Sequence, residues 1–444
     1  MSTDLDPLFS PRGVAVYGAS ATDPGKLGNT LLGNVSEGVS DVRCIHPSAT
    51  SIGGVPAQST LTGPVDLALV SVPAHAARKA VQDAAAGGAR VIVVLSSGFG
   101  EAGPDGQALQ ERIAAIAREH GARLVGPNCM GVVSHLGGDR WLNGSYFWSV
   151  PKRPGSVSFI SQSGAFGGMF LSEVRRRELG FARFVSLGNA PDVDITAALG
   201  WLAADPETGV IGVFAESLRD GRAFVREARE ITPDKPVVIL KGGLSAAGAR
   251  AAAGHTGSLA GSARAYEAGF RRAGAVSVSS STDFFDVLTA FAQPSLRRHG
   301  RRVAILTISG GPGVLAADAA ERAGLDLPVL PAERQAAIRR YAPAFAATGN
   351  PVDLTPQCSA DNFPAAISEV YADDSIDGLV VINCGLDIPE FGTGVAAAHA
   401  ATGKPTTAFL LDVPRVQQAV ANAGIPCFGS PEAAVRGFAA GAGQ

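Results

Sequence analysis

The sequence predicts an α/β protein built from three doubly wound domains. Short runs rich in valine, isoleucine and leucine alternate with segments of helical periodicity, which is typical of parallel sheets covered by helices. A strand, a turn of small residues and a helix follow one another three times along the chain. The length of 444 residues corresponds to about three domains of ~150 residues each.

Each of the three strand–turn–helix repeats lies at the beginning of a segment that has the length expected for one domain. The predicted strands, turns and helices are, in chain order, Gly13–Tyr17, 18–20 and Leu27–Val35; Ser156–Ile160, 161–164 and Ala165–Leu179; and Arg302–Thr307, 309–313 and Val314–Ala323. Further buried strands are predicted at Leu67–Val72, Arg90–Leu95, Val210–Phe214, Pro236–Leu240 and Gly378–Ile382.

Two segments between the repeats have the composition of domain boundaries. One is the proline-rich stretch Val150–Pro154, and the other is the basic stretch Arg297–Arg302. They divide the chain into predicted domains at 1–148, 152–296 and 301–444.

Composition excludes several classes of protein. The net charge of −3 gives no indication of a nucleic-acid or membrane-surface binder. No apolar run approaches ~18 residues, and the first ten residues lack a secretory pattern, so we expect a cytoplasmic protein without membrane spans. The five cysteines are far apart and form no CxxC pair, which predicts neither disulfides nor a metal site.

A loop of small residues, Gly242–Gly261, carries one histidine. His255 is the only side chain in this loop that can act as a nucleophile or carry a proton near neutral pH. Glycines at 254 and 257 permit backbone shapes closed to other residues. A reactive imidazole on a flexible arm would suit the movement of a group between two sites. The alternative is a mobile loop that holds an incidental histidine.

The first turn has glycines at positions suited to phosphate binding. Gly18, Gly25 and Gly28 surround the turn and the helix start, with Lys26 at the helix entry, but their spacing is not GxGxxG. A dinucleotide site would need an acidic residue at the end of the second strand, where the chain reads Ile45–Ser48. The missing acid disfavours NAD. A tight βα turn without a ligand is the alternative.

Three further segments place polar groups at the carboxyl ends of predicted strands, the edge where α/β sheets bind ligands. Gly126–Gly131 contains Cys129, which is either a nucleophile or a small packed residue. Ser161–Ala165 lacks the first glycine of a G-x-S-x-G elbow, so hydrolase chemistry is disfavoured and an anion site at a helix N-terminus is favoured. Glu216 would either orient an imidazole or pair with Arg219.

These pieces occur in an order that resembles a known family. The segments that carry the resemblance are Val14–Ser20, Gly126–Cys129, Ser161–Ala165, Val185–Asn189, Asp192–Asp194, Glu216–Arg222, His255–Gly261, Gly310–Val314 and Gly349–Leu354. Together they resemble the NDP-forming acyl-CoA synthetase family, in particular the α subunit of ADP-forming acetyl-CoA synthetase, which is related to succinyl-CoA ligase α. The resemblance covers nearly the whole chain.

The resemblance implies a fold and a reaction. The first domain would be Rossmann-like and bind CoA, and two flavodoxin-like ligase domains would follow. An acid would be activated as an acyl phosphate, the phosphoryl group would be carried by His255 with Glu216 holding its other nitrogen, and the thiol of CoA would take the acyl group. The implied phosphate-binding residues are Ser161, Gln162, Ser163 and Gly164. The implied CoA-binding residues are Gly18, Ser20, Lys26, Leu27, Gly28, Pro47, Val72, Pro73, Asn128 and Cys129.

Two departures from the family pattern matter. The family usually has a basic residue after Asn-Pro at the end of the second strand, whereas this chain reads His46-Pro47-Ser48, so one cationic contact to CoA is in doubt. No ATP-grasp domain is recognisable. We therefore expect ATP or ADP with magnesium to bind to a separate ATP-grasp β subunit, and we expect the protein to form an oligomer.

Other functions stay open at this point. A CoA-binding or acyl-CoA-sensing protein without ligase activity is one alternative, but such a protein would not need His255 and Glu216. A nicotinamide-dependent oxidoreductase is another, disfavoured by the missing acid. The substrate acid would be a small carboxylic acid, and the cluster Tyr146–Trp148 either lines an acyl pocket or only packs.

Overall fold

The chain forms three sheets dominated by parallel strands, in a computed structural model that describes residues 3–248, 250 and 262–443. Residues up to 279 form one compact unit with the first two sheets, and residues from 280 form a second unit with the third sheet. This confirms the predicted α/β class. None of the described helices combines the length and apolar composition needed to cross a membrane.

The first sheet has seven strands in the order β3-β4-β2-β1-β5-β6-β7. All neighbours are parallel except β3 and β4. The strands are β1 Gly13–Tyr17, β2 Asp41–Ile45, β3 Ser51–Ile52, β4 Val55–Gln58, β5 Val65–Val70, β6 Ala89–Val94 and β7 Arg123–Val125, and the helices are α1 Asp6–Phe9, α2 Leu27–Ser36, α3 Ala74–Ala86 and α4 Pro104–Glu119.

The second sheet also has seven strands, in the order β14-β13-β12-β10-β11-β8-β9. Its strands are β8 Gly131–His135, β9 Trp141–Ser145, β10 Pro154–Ser161, β11 Phe181–Ser186, β12 Val210–Ala215, β13 Val237–Lys241 and β14 Val276–Val278, and its helices are α5 Gly164–Arg176, α6 Ile195–Ala204, α7 Gly221–Ile231 and α8 Ala263–Arg272.

An antiparallel hairpin of β8 and β9 extends the second sheet through the pairing of β8 with β11. The sequence analysis did not identify these strands, and they lie inside the range 1–148 predicted for the first domain. Helix α2 of the first layer packs on β9, where the Asn34 amide donates to the Ser145 carbonyl at 2.9 Å. One apolar core therefore runs through both sheets, and the three predicted domain ranges stay a prediction.

The second unit contains a five-stranded parallel sheet in the order β16-β15-β17-β18-β19. Its strands are β15 Val303–Thr307, β16 Val352–Asp353, β17 Gly378–Cys384, β18 Thr406–Leu411 and β19 Cys427–Phe428. Its helices are α9 Ser281–Phe291, α10 Gly310–Arg322, α11 Ala332–Arg339, α12 Phe363–Tyr371, α13 Pro389–Thr402, α14 Pro414–Asn422 and α15 Pro431–Ala439.

The predicted third turn, 309–313, is instead the beginning of a helix. Helix α10 begins at Gly310 rather than at Val314. Pro312 is tolerated there because the N–H groups of a first helical turn have no intrahelical acceptor. Gly313 lets the helix approach β15, since a Cβ at this position would lie 2.9 Å from the Thr307 methyl carbon.

Candidate active site

A cavity of about 1130 Å³ opens at the carboxyl ends of the strands of the first two sheets, within the first compact unit. It collects most of the described residues predicted to bind CoA or phosphate. These are Gly18, Lys26, Leu27, Gly28, Pro47, Val72, Pro73, Asn128, Cys129, Gln162, Ser163 and Gly164. Glu216, which was predicted as a catalytic residue, lines the cavity as well. The lining residues come from both sheets, so a long ligand could reach from one layer to the other.

The turn after β1 brings backbone close to the cavity. Gly18 has a φ of +100°, and a Cβ there would lie 2.3 Å from the Ser71 carbonyl oxygen. A Cβ at Gly28 would lie 2.2 Å from the carbonyl oxygen of Gly18. The start of α2 therefore packs closely against this turn. Lys26 is the N-cap residue of α2 and lines the cavity. Such a helix start suits an anionic ligand group.

Ser20 does not line this cavity, and its assignment to the CoA site stays a prediction. Its hydroxyl accepts hydrogen bonds from the backbone N–H groups of Thr22 at 3.3 Å and Asp23 at 3.1 Å. Its backbone is held by the Asn29 amide, which accepts from the Ser20 N–H at 2.6 Å. Ser20 therefore shapes the loop that leads to α2, because its polar groups are used within the loop.

The end of β2 supplies no permanent cation. The Nδ1 atom of His46 accepts hydrogen bonds from the backbone N–H groups of Ala49 at 2.9 Å and Ser48 at 3.3 Å. An accepting Nδ1 requires the neutral ring with its proton on Nε2. Pro47 lines the cavity and Ser48 does not. The effect of Ser48 in place of a basic residue on CoA binding stays open.

Helix α3 supplies a lysine to the cavity, Lys79, which was not predicted from the sequence. Ala76, Lys79, Ala80 and Asp83 of α3 all line the cavity, at spacings of three, four and seven residues that place them on one helical face. Lys79 is exposed there. The helical spacing of the residues after Pro73 could have predicted this face, because Pro73 itself was assigned to the site.

An acidic residue also lines the cavity, again from α3 rather than from the end of β2. The Asp83 carboxylate accepts hydrogen bonds from the Tyr17 hydroxyl at 2.8 Å and from the Leu61 N–H at 3.0 Å. Burial and the neighbouring Asp83 charge raise the pKa of Tyr17 well above its usual range. Asp83 lies on α3, the helix after β5, whereas a ribose-binding acid was expected at the end of β2.

Cys129 is a packed thiol rather than a nucleophile. It is 3% exposed, and its Sγ donates to the Val94 carbonyl oxygen at 3.4 Å. Burial raises the pKa of Cys129 to about 12, so the thiolate that a nucleophile requires is strongly disfavoured. Its neighbour Asn128 has a φ of 59° and also lines the cavity.

The N-terminus of α5 lines the cavity on the side of the second sheet. Gln162, Ser163, Gly164 and Ala165 line it, and the Ser163 hydroxyl caps the helix by accepting from the Phe166 N–H at 3.3 Å. The free N–H groups of this first turn, together with the helix dipole, favour an anion. A Cβ at position 164 would lie 2.6 Å from the Met130 Cγ, so a larger residue there would require the Met130 side chain to shift.

Ser161 does not face this anion site. Its side chain is fully buried, and its hydroxyl donates to the Ser163 carbonyl oxygen at 2.7 Å. The Ser161 hydroxyl donor is used to shape the turn before α5, and a phosphate contact of Ser161 stays a prediction. The remaining three residues of the predicted phosphate site, Gln162, Ser163 and Gly164, do line the cavity.

Glu216 lies one residue beyond the end of β12 and lines the same cavity as the start of α5. The Arg219 guanidinium donates to the Pro191 carbonyl oxygen. The predicted phosphoryl carrier, His255, lies outside the described residues. The cavity thus brings together a carboxylate and an anion-binding helix start, which is the arrangement that proton and phosphoryl chemistry at an imidazole would need.

Of the three aromatic residues considered for an acyl pocket, only Tyr146 lines the cavity. Its hydroxyl lies 2.7 Å from the Ser71 Oγ, and burial raises its pKa to about 12. The Phe147 ring packs against Phe184 with ring centres 5.8 Å apart. Trp148 is 77% exposed and lies away from the core.

Three protein families match successive parts of the chain. The CoA binding domain family matches residues 12–135, the succinyl-CoA ligase-like flavodoxin domain family matches residues 154–291, and the ligase-CoA domain family matches residues 303–386. The first two of these ranges contain the described residues that line the cavity, apart from the hairpin residue Tyr146.

Curated relatives and a solved structure match over nearly the whole chain. The α subunit of acetate–CoA ligase (ADP-forming) II from Pyrococcus furiosus is 34% identical, covering 96% of this chain and 95% of that subunit. Acetate–CoA ligase (ADP-forming) I from Archaeoglobus fulgidus is 37% identical over 97% of this chain, which spans 62% of that protein. The dinucleotide forming acetyl-coenzyme A synthetase 1 of Ca. Korarchaeum cryptofilum, solved with phosphate and ADP, has a TM-score of 0.89, 32% identity and coverage of 99% and 96%.

Proposed function

This chain belongs to the NDP-forming acyl-CoA synthetase family, and on that basis we propose that it is the α-type subunit of an ADP-forming ligase that joins a small carboxylic acid to CoA. The observation that carries the proposal is the single cavity that joins the turn after β1 to the start of α5 and to Glu216. A ligand held by the first sheet could present its thiol to an acyl phosphate held by the second.

The residues fit a reaction in three transfers. The imidazole of His255 takes the γ-phosphoryl group of ATP and releases ADP, and the acid then takes this group to form an acyl phosphate. The CoA thiol attacks the acyl carbon, the C–O bond to phosphate breaks, and phosphate leaves from the start of α5. The N–H groups of that helix stabilise the phosphate oxygens. Glu216 accepts a hydrogen bond from the N–H of one imidazole nitrogen, which leaves the other nitrogen free to attack.

The CoA part of the proposal predicts a measurable role for Lys26 and Lys79. Both cations face the cavity, and both are exposed, so each contributes only a modest attraction to a bound anion. The double variant K26A/K79A is expected to weaken CoA binding about tenfold in isothermal titration calorimetry at low salt. The wild-type chain is expected to bind CoA and not NAD.

Arg78 offers a matched control on the same helix, because it is exposed and adjacent to Lys79 but does not line the cavity. R78A should leave CoA affinity unchanged. If R78A loses as much CoA affinity as K26A/K79A, the lysines act only through general electrostatics. If the wild-type chain binds NAD more tightly than CoA, the protein belongs to the oxidoreductase class.

The carboxylate of Glu216 is proposed to orient the attacking imidazole, which gives a second prediction. E216Q keeps the shape of the side chain but removes the charge that stabilises a developing imidazolium. The rate at which the protein takes label from radiolabelled acetyl phosphate should fall about 100-fold, while CoA affinity stays near the wild-type value. E207Q is the control, since Glu207 lies at the other end of β12 beside His135. A wild-type labelling rate in E216Q would leave Glu216 a structural acid.

The nucleotide site is proposed to lie on a partner chain. Relatives named as α subunits imply a second subunit, and we propose that it is an ATP-grasp protein that binds ATP or ADP with magnesium. Among the described residues no cluster of three or more histidine, cysteine or acidic side chains is arranged to hold a metal ion. All five cysteines are unpaired, which supports a reducing compartment such as the cytoplasm.

A further inference from the structure

The peptide groups of residue 216 lie just beyond the sheet, where the ladder hydrogen bonds of β12 have ended. A residue in this position depends on other contacts to fix its backbone, since loop segments with few bonds open readily. Two side chains from different elements supply such contacts. One is Gln162, directly before α5, and the other is Lys241, the last residue of β13.

Gln162 holds residue 216 from the N–H side. Its Oε1 atom accepts hydrogen bonds from the backbone N–H groups of Glu216 at 2.6 Å and Ser217 at 2.9 Å. The backbone of Gln162 is itself tied to β12, because its N–H donates to the Phe214 carbonyl oxygen at 3.2 Å. The amide oxygen of Gln162, a residue predicted for the phosphate site, therefore accepts two hydrogen bonds from the protein itself.

Lys241 holds the same residue from the carbonyl side. Its Nζ donates to the carbonyl oxygen of Glu216 at 2.7 Å and also to that of Gly242. The residue is only 7% exposed, and its ammonium group lies 4.6 Å from the centre of the Tyr266 ring, at a distance that allows a cation–π contact. Burial lowers the pKa of Lys241, and the nearby Glu216 charge opposes that shift.

We propose that Gln162 and Lys241 are positioning residues that clamp the backbone of Glu216 from both sides and so aim its carboxylate at the reacting imidazole. The clamp also links the anion site to the carboxylate, because Gln162 is part of the turn that begins α5. This inference rests on the proposed role of Glu216. It predicts that loosening either contact slows phosphoryl transfer without touching the reacting atoms, since small misplacements of a catalytic group are costly.

The Gln162 contact is tested first by amide hydrogen exchange, which needs no activity. Q162M keeps the length of the side chain but lacks an acceptor, and the amides of Glu216 and Ser217 are expected to exchange at least about tenfold faster. Q162E restores an acceptor oxygen and should restore their protection. Unchanged exchange in Q162M would overturn this side of the clamp.

The Lys241 contact has a matched control just before the same strand. Lys235, before the start of β13, also donates to two backbone carbonyl oxygens, those of Asp205 at 2.6 Å and Leu202 at 3.3 Å, at the opposite end. K241M is expected to lower the maximal rate of labelling by acetyl phosphate about 10- to 100-fold, with little change in the concentration that gives half this rate. K241R should recover part of the rate. K235M should leave it near wild type.

The outcomes separate the clamp from the proposed function. If wild-type protein takes no label from acetyl phosphate, the proposed function fails, and amide exchange still decides whether the clamp exists. If wild type is labelled and K235M is slowed as much as K241M at equal melting temperature, Lys241 acts only through general stability and the positioning role is overturned. Faster exchange in Q162M together with an unchanged labelling rate in both clamp variants would overturn it as well.

Discussion

Protein phosphorylation is expected to disappear when His255 is changed to alanine. The proposed reaction routes the phosphoryl group through this imidazole, and residues 242–261 contain no other histidine. Wild-type protein incubated with radiolabelled acetyl phosphate should take up a label that is lost in acid and kept in base, the behaviour of a P–N bond. H255A should take up no label, because the substitution removes the imidazole that would attack the phosphorus atom.

His135 provides the control for this experiment. Its Nδ1 lies 2.9 Å from a Glu207 carboxylate oxygen, so it is a second histidine with an acidic partner in the same layer. It belongs to β8 and does not line the cavity. H135A should therefore keep the label. A label of wild-type amount on H255A, or one that survives acid, would contradict the proposed carrier.

The second large effect concerns turnover by the chain alone. We expect the purified 444-residue protein to form no acyl-CoA above the blank from acid, ATP, magnesium and CoA. Its glycine-rich segment at the start of α10 lacks the Lys-Ser/Thr pair of a P-loop. On the two-chain proposal, the phosphoryl carrier exchanges its group with a nucleotide bound to another chain. Thioester formation is measured by separating CoA from acyl-CoA on a reversed-phase column.

Adding an ATP-grasp β subunit of the same family should restore turnover, and adding the same subunit to H255A should not. The second mixture controls for activity carried in by the partner preparation. ATP-dependent thioester formation by the chain alone, at a level that contamination cannot supply, would place a nucleotide site on this chain and contradict the two-chain proposal.

Local sequence patterns predicted the elements of the sheets well. The predicted strand at Gly13–Tyr17 is found without change, and the strand predicted at Leu67–Val72 is β5 at Val65–Val70, shifted by two residues. Alternating strands and helices also gave the parallel class correctly. These features depend on residues close together in the chain, so a single sequence contains the information.

The same patterns gave much of the candidate site, because ligand-binding residues in α/β sheets follow the carboxyl ends of strands. Gly18, Asn128, Gln162 and Glu216 all follow a strand in this way, and all line the cavity. Ser20 follows a strand and Ser161 ends one, but their hydroxyl groups are used to shape the turns. A position in sequence does not say whether a small polar side chain faces a ligand or its own backbone.

What the sequence determined by itself is the order of strands and helices, the class of the sheets, and which loops lie at the edge where ligands bind. Only the tertiary structure decided that the β8–β9 hairpin extends the second sheet, that Lys79 and Asp83 of α3 face the cavity, and that Lys241 reaches the Glu216 carbonyl. The physical reason is that periodicity and turn chemistry act within a few residues of the chain. Contacts between distant elements are instead set by how whole layers pack and by which buried polar groups then find partners.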